Sequence, residues 1–165
     1  MVGTTRPVNA ITVLGLVPAD ELGITLMHEH LVFDFSCCLE LPRTEAEQAM
    51  ARQPISTETL GTLRFNPLLV PDNLVHRDVQ LAIKEVDAYA RSGGRTIVDP
   101  TNVTIGRRPL ALQAIARASG LNIIMGAGYY TQVSLGESFE GRSVDDVARE
   151  IVSDIVDGVD DTAVR

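Results

Sequence analysis

The chain has 165 residues, of which 45 % are hydrophobic and 22 % are charged, and it carries a formal net charge of −8. This composition is typical of one globular domain with its own core, and it argues against a disordered chain and against a nucleic-acid partner, which needs clustered lysine and arginine. No apolar run approaches the ~18 residues of a membrane-spanning helix, so we expect a cytoplasmic protein with no membrane partner.

The first predicted elements are a short hairpin or cap strand at residues 10–17 and a main strand over residues 24–33. The main strand contains His28 and His30. Side chains two positions apart on a strand point to one face. A metal ion beyond the strand's end could therefore take a nitrogen from each imidazole. The plainer alternative for a His-x-His pair is two hydrogen-bonded, inert side chains near a strand end.

The middle of the chain is predicted to be a long functional loop followed by a helix. Residues 38–72 contain four prolines, and a loop this long after a ligand-bearing strand is usually functional. Residues 72–90 have helical spacing, with His76 near the predicted helix start, where solvation is its expected role. The adjacent Cys37 and Cys38 are poorly placed to form a disulfide that stabilises the fold, and they are expected to be buried free thiols.

The second half of the chain alternates strands and helices. A strand is predicted over 95–99, a helix over 109–119 that ends at Gly120, a strand over 121–126 and an amphipathic helix over 143–156. The inner side of the first of these helices is expected to carry Leu110, Leu112, Ile115 and Ala116. This order predicts an α/β fold with a parallel sheet, either an open doubly wound sheet or part of a barrel.

Three polar or glycine-rich positions could be mistaken for functional motifs. Gly126-Ala-Gly128 lacks the third glycine of a dinucleotide-binding loop, and its glycines are expected to turn the chain so that Tyr129 and Tyr130 lie at the mouth. Asp99, at a strand end, is expected to have a structural role. Arg107 and Arg108 precede a helix and are expected to be solvated charge.

Four motifs together resemble the N-terminal half of phosphotriesterase-related proteins in the amidohydrolase superfamily. They are His28-Glu-His30 with its flanking residues 16–27 and 31–35, GRTIVDPT at 94–101, IGR at 105–107 and GLNIIMGAGYY at 120–130. The resemblance implies a (β/α)8 TIM barrel with a binuclear metal centre at its C-terminal mouth. It also implies that His28 and His30 bind the more buried metal and that Tyr130 lines the substrate pocket. No catalytic residue is assigned in this chain.

The remaining ligands implied by the resemblance fall after Arg165. They are a bridging carboxylated lysine or glutamate after the fourth strand, two histidines after the fifth and sixth, and an aspartate after the eighth. A complete barrel takes ~250 residues. We therefore expect residues 1–165 to be a single partial domain of about three βα units, a truncated part that is inactive alone.

The parent protein is expected to be a metal-dependent hydrolase of esters. Two divalent ions would activate a shared hydroxide and polarise the substrate's carbonyl or phosphoryl oxygen. Lactones or carboxylic esters are the first expected substrates and phosphotriesters the second. Zinc is the expected metal, although cobalt, manganese or iron also suit such ligands, and the full-length protein could form a homodimer. The alternatives are another amidohydrolase activity, such as an amidase or deaminase, and a non-catalytic fragment.

Overall fold

The computed structural model describes residues 8–165 and contains seven strands and five α-helices in that part of the chain. The strands are β1 (Asn9–Thr12), β2 (Gly15–Pro18), β3 (Thr25–Leu26), β4 (Phe33–Asp34), β5 (Val75–His76), β6 (Thr96–Asp99) and β7 (Asn122–Met125). The helices are α1 (Glu45–Ala51), α2 (Leu60–Leu63), α3 (Val79–Arg91), α4 (Pro109–Ser119) and α5 (Val144–Val156).

The centre of the fold is a parallel sheet with strand order β3-β6-β7. In its register Leu26 lies beside Ile97, and Ile97 lies beside Ile123. The strands are linked through α3 and α4, which pack against each other. Neighbouring parallel strands need a crossover connection, and α3 and α4 lie in the two crossovers of this sheet. The predicted parallel α/β arrangement is therefore confirmed.

The core lies between this sheet and the two crossover helices. Ile97 and Ile123 contribute from the strands, and Leu112 and Ile115 contribute from α4. The antiparallel β1–β2 hairpin covers the β7 side of the sheet, where Val13 enters the same core and donates its N–H to the Ile123 carbonyl oxygen at 2.9 Å. The predicted hairpin is thus confirmed, and its first strand packs beside β7.

Helix starts agree with the local capping signals. Thr44 caps α1 and Ser143 caps α5, each with a reciprocal capping box. Helix α4 covers the predicted range and ends at Gly120, whose φ of +71° is the left-handed conformation that a glycine adopts without penalty. No helix in the described part of the chain is both long and apolar enough to cross a membrane.

Two element predictions were wrong in their boundaries. The main strand was predicted to end at residue 33 but ends at Leu26, so His28 and His30 lie in the segment that follows it. The third helix starts at Val79, because Asp78 caps it by accepting from the N–H groups of Gln80 and Leu81. His76 accordingly belongs to β5, which pairs with β4, and is not at a helix start.

Two helix faces also differ from the prediction. Leu110 is 63 % exposed, whereas Leu112, Ile115 and Ala116 are buried as predicted. Leu110 occupies the first turn of α4 and does not belong to the buried core. Helix α5 has no buried residue in the structure, although its sequence is amphipathic. Its apolar face is therefore not part of the core formed by the other helices.

We predict that Gly126→Ala destabilises the protein by about 1–3 kcal/mol. A Cβ at this position would lie 2.9 Å from backbone atoms of Pro100, and backbone cannot move aside as a flexible side chain can. Urea unfolding measures the change. Gly61→Ala is the matched control, because a Cβ there meets nothing within 4 Å and alanine favours the helix. Equal stability of the two variants would contradict the prediction.

Candidate metal centre

The segment carrying His28 and His30 is fixed to the neighbouring strand by backbone hydrogen bonds. The Glu29 N–H donates to the Val98 carbonyl oxygen at 3.0 Å, and the Leu31 N–H donates to Asp99 Oδ2 at 3.1 Å. Both acceptors belong to β6, so the histidine segment continues along the carboxyl end of the parallel sheet. Ligand sites of parallel α/β folds lie at this edge.

The two imidazoles converge on one point. His28 Nε2 and His30 Nε2 are 3.2 Å apart, and the ring planes are inclined at 73°. Two nitrogens bound to one tetrahedral zinc ion at ~2.0–2.1 Å would be separated by about 3.3 Å. The donor pair therefore fits a single metal ion of that size.

The other ring nitrogen of His30 is held by Thr101. The Nδ1 to Oγ1 distance is 2.8 Å, across a sequence separation of 71 residues. When Nδ1 carries the proton and donates to this hydroxyl, Nε2 presents its lone pair, as a metal ligand requires. Burial lowers the pKa of His30, and the neighbouring His28 lowers it further. The neutral, ligating form is thus favoured.

Asp99 links the segment that carries His30 to Thr101 through hydrogen bonds to two backbone N–H groups. Its carboxylate is fully buried and accepts from the Leu31 N–H and, at 2.8 Å, from the Thr101 N–H. Burial raises the pKa of Asp99, and the hydrogen bonds from Thr101 and Leu31 oppose that rise. Asp99 thus holds together the segment that carries His30 and the residue that orients its ring, which is the expected structural role.

A cavity of about 410 Å³ adjoins His30. Its wall includes Tyr130, so the structure brings this predicted pocket residue to the same cavity as His30. The Phe35 ring lies between them, with its centroid 5.0 Å from that of His30 and 5.5 Å from that of Tyr130. The rest of the wall is mostly apolar and comes from Phe33, Cys38, Pro67, Leu68, Asn73 and Leu74. The long segment after residue 38 thus contributes to this cavity.

Tyr130 is held by backbone hydrogen bonding as well as by the contact of its ring with Phe35. Its N–H donates to Thr104 Oγ1 at 3.2 Å, and the Ser134 hydroxyl donates to the same oxygen at 2.9 Å. The preceding Tyr129 turns the other way and hydrogen-bonds with Arg142 and Glu150. Sequence reasoning did not identify Phe35, Thr101 or Thr104, because their roles depend on contacts between segments distant in the chain.

Two further expectations about charged and thiol side chains were wrong. Arg107 is buried, and it donates to Asp154 at 2.7 Å and to Asp160 at 3.3 Å, so it is not solvated charge. The cysteines are free as expected, but Cys37 is exposed and Cys38 is half-buried. Both sit in a single helical turn, Ser36–Cys38, after β4, and none of the three residues of this turn is buried.

Within residues 8–165, no group of three or more His, Cys, Asp or Glu side chains is placed to hold a metal ion. His28 and His30 supply two donors, whereas a catalytic zinc usually has three protein ligands. Any complete centre therefore needs donors in addition to these two.

Comparison with known proteins gives consistent matches along the chain. A family model described as "Phosphotriesterase family" matches residues 8–165. An N-acetyltaurine hydrolase from Danio rerio is 34 % identical over 155 residues, which are 93 % of this chain and 44 % of the relative. The crystal structure of a resiniferatoxin-binding protein from Rhodobacter sphaeroides has a TM-score of 0.91 and 43 % identity, covering 95 % of this chain and 44 % of that one.

A more distant solved structure shares the fold. The lactonase from Listeria monocytogenes has a TM-score of 0.67 at 22 % identity and covers 96 % of this chain and 45 % of its own. The chain thus spans less than half the length of the relatives it matches. Its open three-stranded sheet with crossover helices corresponds to the N-terminal portion of a (β/α)8 barrel.

Proposed function

The chain belongs to the phosphotriesterase family, and on that premise we propose that it forms the N-terminal part of a metal-dependent hydrolase. His28 and His30 would hold a divalent metal ion, with zinc as the first candidate and cobalt, manganese or iron as the others. A metal in this place acts as a Lewis acid on a substrate oxygen and lowers the pKa of bound water. A second metal would need ligands that residues 8–165 do not supply.

The observation that carries this proposal is the 3.2 Å separation of the two Nε2 atoms at the carboxyl end of the parallel sheet. The plainer alternative is a hydrogen bond between the two rings, which the same distance allows, and metal analysis of the protein distinguishes the two. Thr101 hydrogen-bonds to Nδ1 of His30, and Nε2 of His30 faces Nε2 of His28. This is the arrangement of ligands around a shared ion.

The cavity beside His30 favours a substrate with an apolar acyl group. Phe33, Phe35 and Tyr130 would contact the acyl part, and His30, one of the two residues that would hold the metal, belongs to the same wall. Lactones or other carboxylic esters are the proposed substrates, with phosphotriesters as a secondary class. A second candidate is hydrolysis of an N-acyl amide, because relatives at 33–36 % identity are named N-acetyltaurine hydrolases.

The test measures hydrolysis of four substrates by the zinc-loaded full-length protein of which this chain is a part: an aliphatic lactone, an aryl ester, a phosphotriester and an N-acetyl amino sulfonate. Lactone or ester turnover that is lost with a chelator and restored by zinc supports the first candidate, whereas turnover of the amide alone supports the second. Absence of turnover of all four substrates by a protein that retains stoichiometric metal would contradict both.

We predict that Tyr130→Ala changes substrate preference and leaves metal content unchanged. The ring contacts Phe35 and the cavity, whereas the metal contacts belong to the histidines. Losing an aromatic wall should raise KM for bulky acyl substrates by about tenfold, equal to about 1.4 kcal/mol of binding. Tyr130→Phe is the control, because it keeps the ring. Loss of metal in Tyr130→Ala, or an unchanged ratio of KM values, would contradict this role.

A further inference from the structure

The Thr104 hydroxyl joins the loop after β6 to the loop after β7. Its Oγ1 accepts from the Tyr130 N–H at 3.2 Å and lies 2.9 Å from the Ser134 hydroxyl oxygen. These partners are 26 and 30 residues further along the chain. One side-chain oxygen therefore holds the second loop at two points, and one of them is the backbone of a residue that lines the His30 cavity.

The hydrogen of this hydroxyl points to Asn102. Thr104 Oγ1 donates to Asn102 Oδ1 at 2.8 Å, and the Thr104 N–H donates to the same oxygen at 3.1 Å. Asn102 is buried and caps the turn Val103–Ile105. A hydroxyl has one hydrogen and two acceptor lone pairs. Because the hydrogen is directed at Asn102, both lone pairs of Thr104 Oγ1 are available to Tyr130 and Ser134.

The loop that Thr104 holds borders the His30 cavity. Its turn Gln132–Ser134 packs against the turn Ser36–Cys38, whose last residue belongs to the cavity wall. Tyr130, just before the turn, belongs to the same wall. Thr104 is not among the described residues of that wall, so its influence on a bound substrate passes through the loop.

The ring of Tyr130 has few contacts of its own that could fix it. The residue is 49 % exposed, and its aromatic partner is Phe35, with the ring centroids 5.5 Å apart. A side chain with little buried contact is weakly held. The position of the Tyr130 backbone therefore decides whether the ring meets Phe35, and the Thr104 hydroxyl is the side-chain group that holds this backbone N–H.

We propose that Thr104 is a positioning residue for substrate specificity, an inference that rests on the hydrolase function proposed above. Its hydroxyl keeps the Tyr130 ring against Phe35, so that the two rings form one apolar side of the cavity for the acyl group. Without the hydroxyl, the Tyr130 N–H is close enough to solvent to bond to water, and the loop shifts without unfolding the chain. The enzyme then loses discrimination between large and small acyl groups and keeps its metal.

Thr104→Val in the zinc-loaded full-length protein tests this role, because valine has the shape of threonine and lacks the hydroxyl. We expect KM for para-nitrophenyl hexanoate to rise about fivefold, the equivalent of one neutral hydrogen bond of about 1 kcal/mol. KM for para-nitrophenyl acetate, kcat for both esters and the metal content should stay close to the wild-type values. Thr104→Ser keeps the hydroxyl and should restore the wild-type ratio of the two KM values.

Thr12→Val is the matched control for the loss of a hydroxyl. Thr12 Oγ1 also makes two hydrogen bonds, to the Gly15 carbonyl oxygen and from the Leu14 N–H, but it lies in the β1–β2 hairpin, away from the cavity. This variant should leave the ratio of KM values unchanged. Thr104→Val should add little to the effect of Tyr130→Ala in a double-mutant cycle, because both act through one ring. Fully additive effects, or an equal change of the ratio in both valine variants, would overturn the assignment.

A measurement without substrate separates this role from the proposed function. In deuterated full-length protein with protonated tyrosine and phenylalanine rings, a nuclear Overhauser effect between Tyr130 and Phe35 is expected for the wild type and Thr104→Ser. It should be much weaker in Thr104→Val. An unchanged effect in Thr104→Val would overturn the positioning role even in an active enzyme. If the protein hydrolyses neither ester, the proposed function fails, whereas loss of the ring contact in Thr104→Val still supports the positioning of Tyr130 by Thr104.

Discussion

Replacing both His28 and His30 by alanine is expected to reduce the metal content of the protein to background and to abolish metal-dependent hydrolysis. The two Nε2 atoms are the convergent donors in this part of the chain, and the described residues offer no group of three alternative ligands. A catalytic zinc held by three protein ligands cannot lose two of them and remain bound. Elemental analysis after dialysis, together with the hydrolysis assay, measures both effects.

The third histidine provides the matched control for this experiment. His76 lies in β5 beside the Phe33 ring, with centroids 6.0 Å apart, and within residues 8–165 it forms no hydrogen bond with His28 or His30. His76→Ala should therefore retain stoichiometric metal. If the double variant of His28 and His30 kept full metal occupancy, the assignment of these residues as ligands would be wrong. Thermal unfolding of each variant checks that metal loss is not caused by unfolding.

Arg107→Ala is expected to lower the free energy of unfolding by about 3 kcal/mol, the lower end of the range for breaking a buried ion pair. The guanidinium is 3 % exposed and bridges Asp154 of α5 and Asp160 beyond it. Removing it leaves the Asp154 carboxylate without its cation at a largely buried position. The lower end applies because Asp160 is 39 % exposed and can be solvated. Urea unfolding measures the change.

Two companion variants test the electrostatic origin of this loss. Arg117→Ala removes an exposed arginine and should change stability by less than about 0.5 kcal/mol. Combining Arg107→Met with Asp154→Asn and Asp160→Asn removes the uncompensated charges together and should recover part of the loss. If Arg107→Ala were as stable as Arg117→Ala, the buried network would contribute nothing measurable. In that case α5 would be held by other contacts.

Helix α4 and strand β6 show which features could be predicted from local sequence. Pro109 favours the first position of a helix, Gly120 allows the left-handed residue that ends it, and the apolar spacing between them has the helical period. The run Thr96–Asp99 is short, has the β-branched apolar residues Ile97 and Val98 at its centre and is bounded by turn residues. These signals lie within a few residues of the structure they produce.

The histidine segment and Arg107 show where the same reasoning failed. An apolar and β-branched run predicted one strand to residue 33, but backbone pairing stops at Leu26 and the chain then follows the end of β6 through Asp99. The sequence predicts a solvated Arg107, because an arginine just before a helix is usually exposed. Its burial depends on Asp154 and Asp160, which are 47 and 53 residues away. Local sequence carries no signal for such partners.

The sequence by itself determined the order of the βα units, the bounds of α4 and α5 and the family resemblance, because these depend on periodicity, caps and motifs of contiguous residues. It also placed both histidines near the carboxyl end of a parallel strand. Only the tertiary structure decided that the two Nε2 atoms face each other, that Thr101 orients one ring and that Tyr130 shares the cavity of His30. Those features depend on distances between segments that the packing of β3, β6 and β7 brings together, and a linear pattern does not encode such distances.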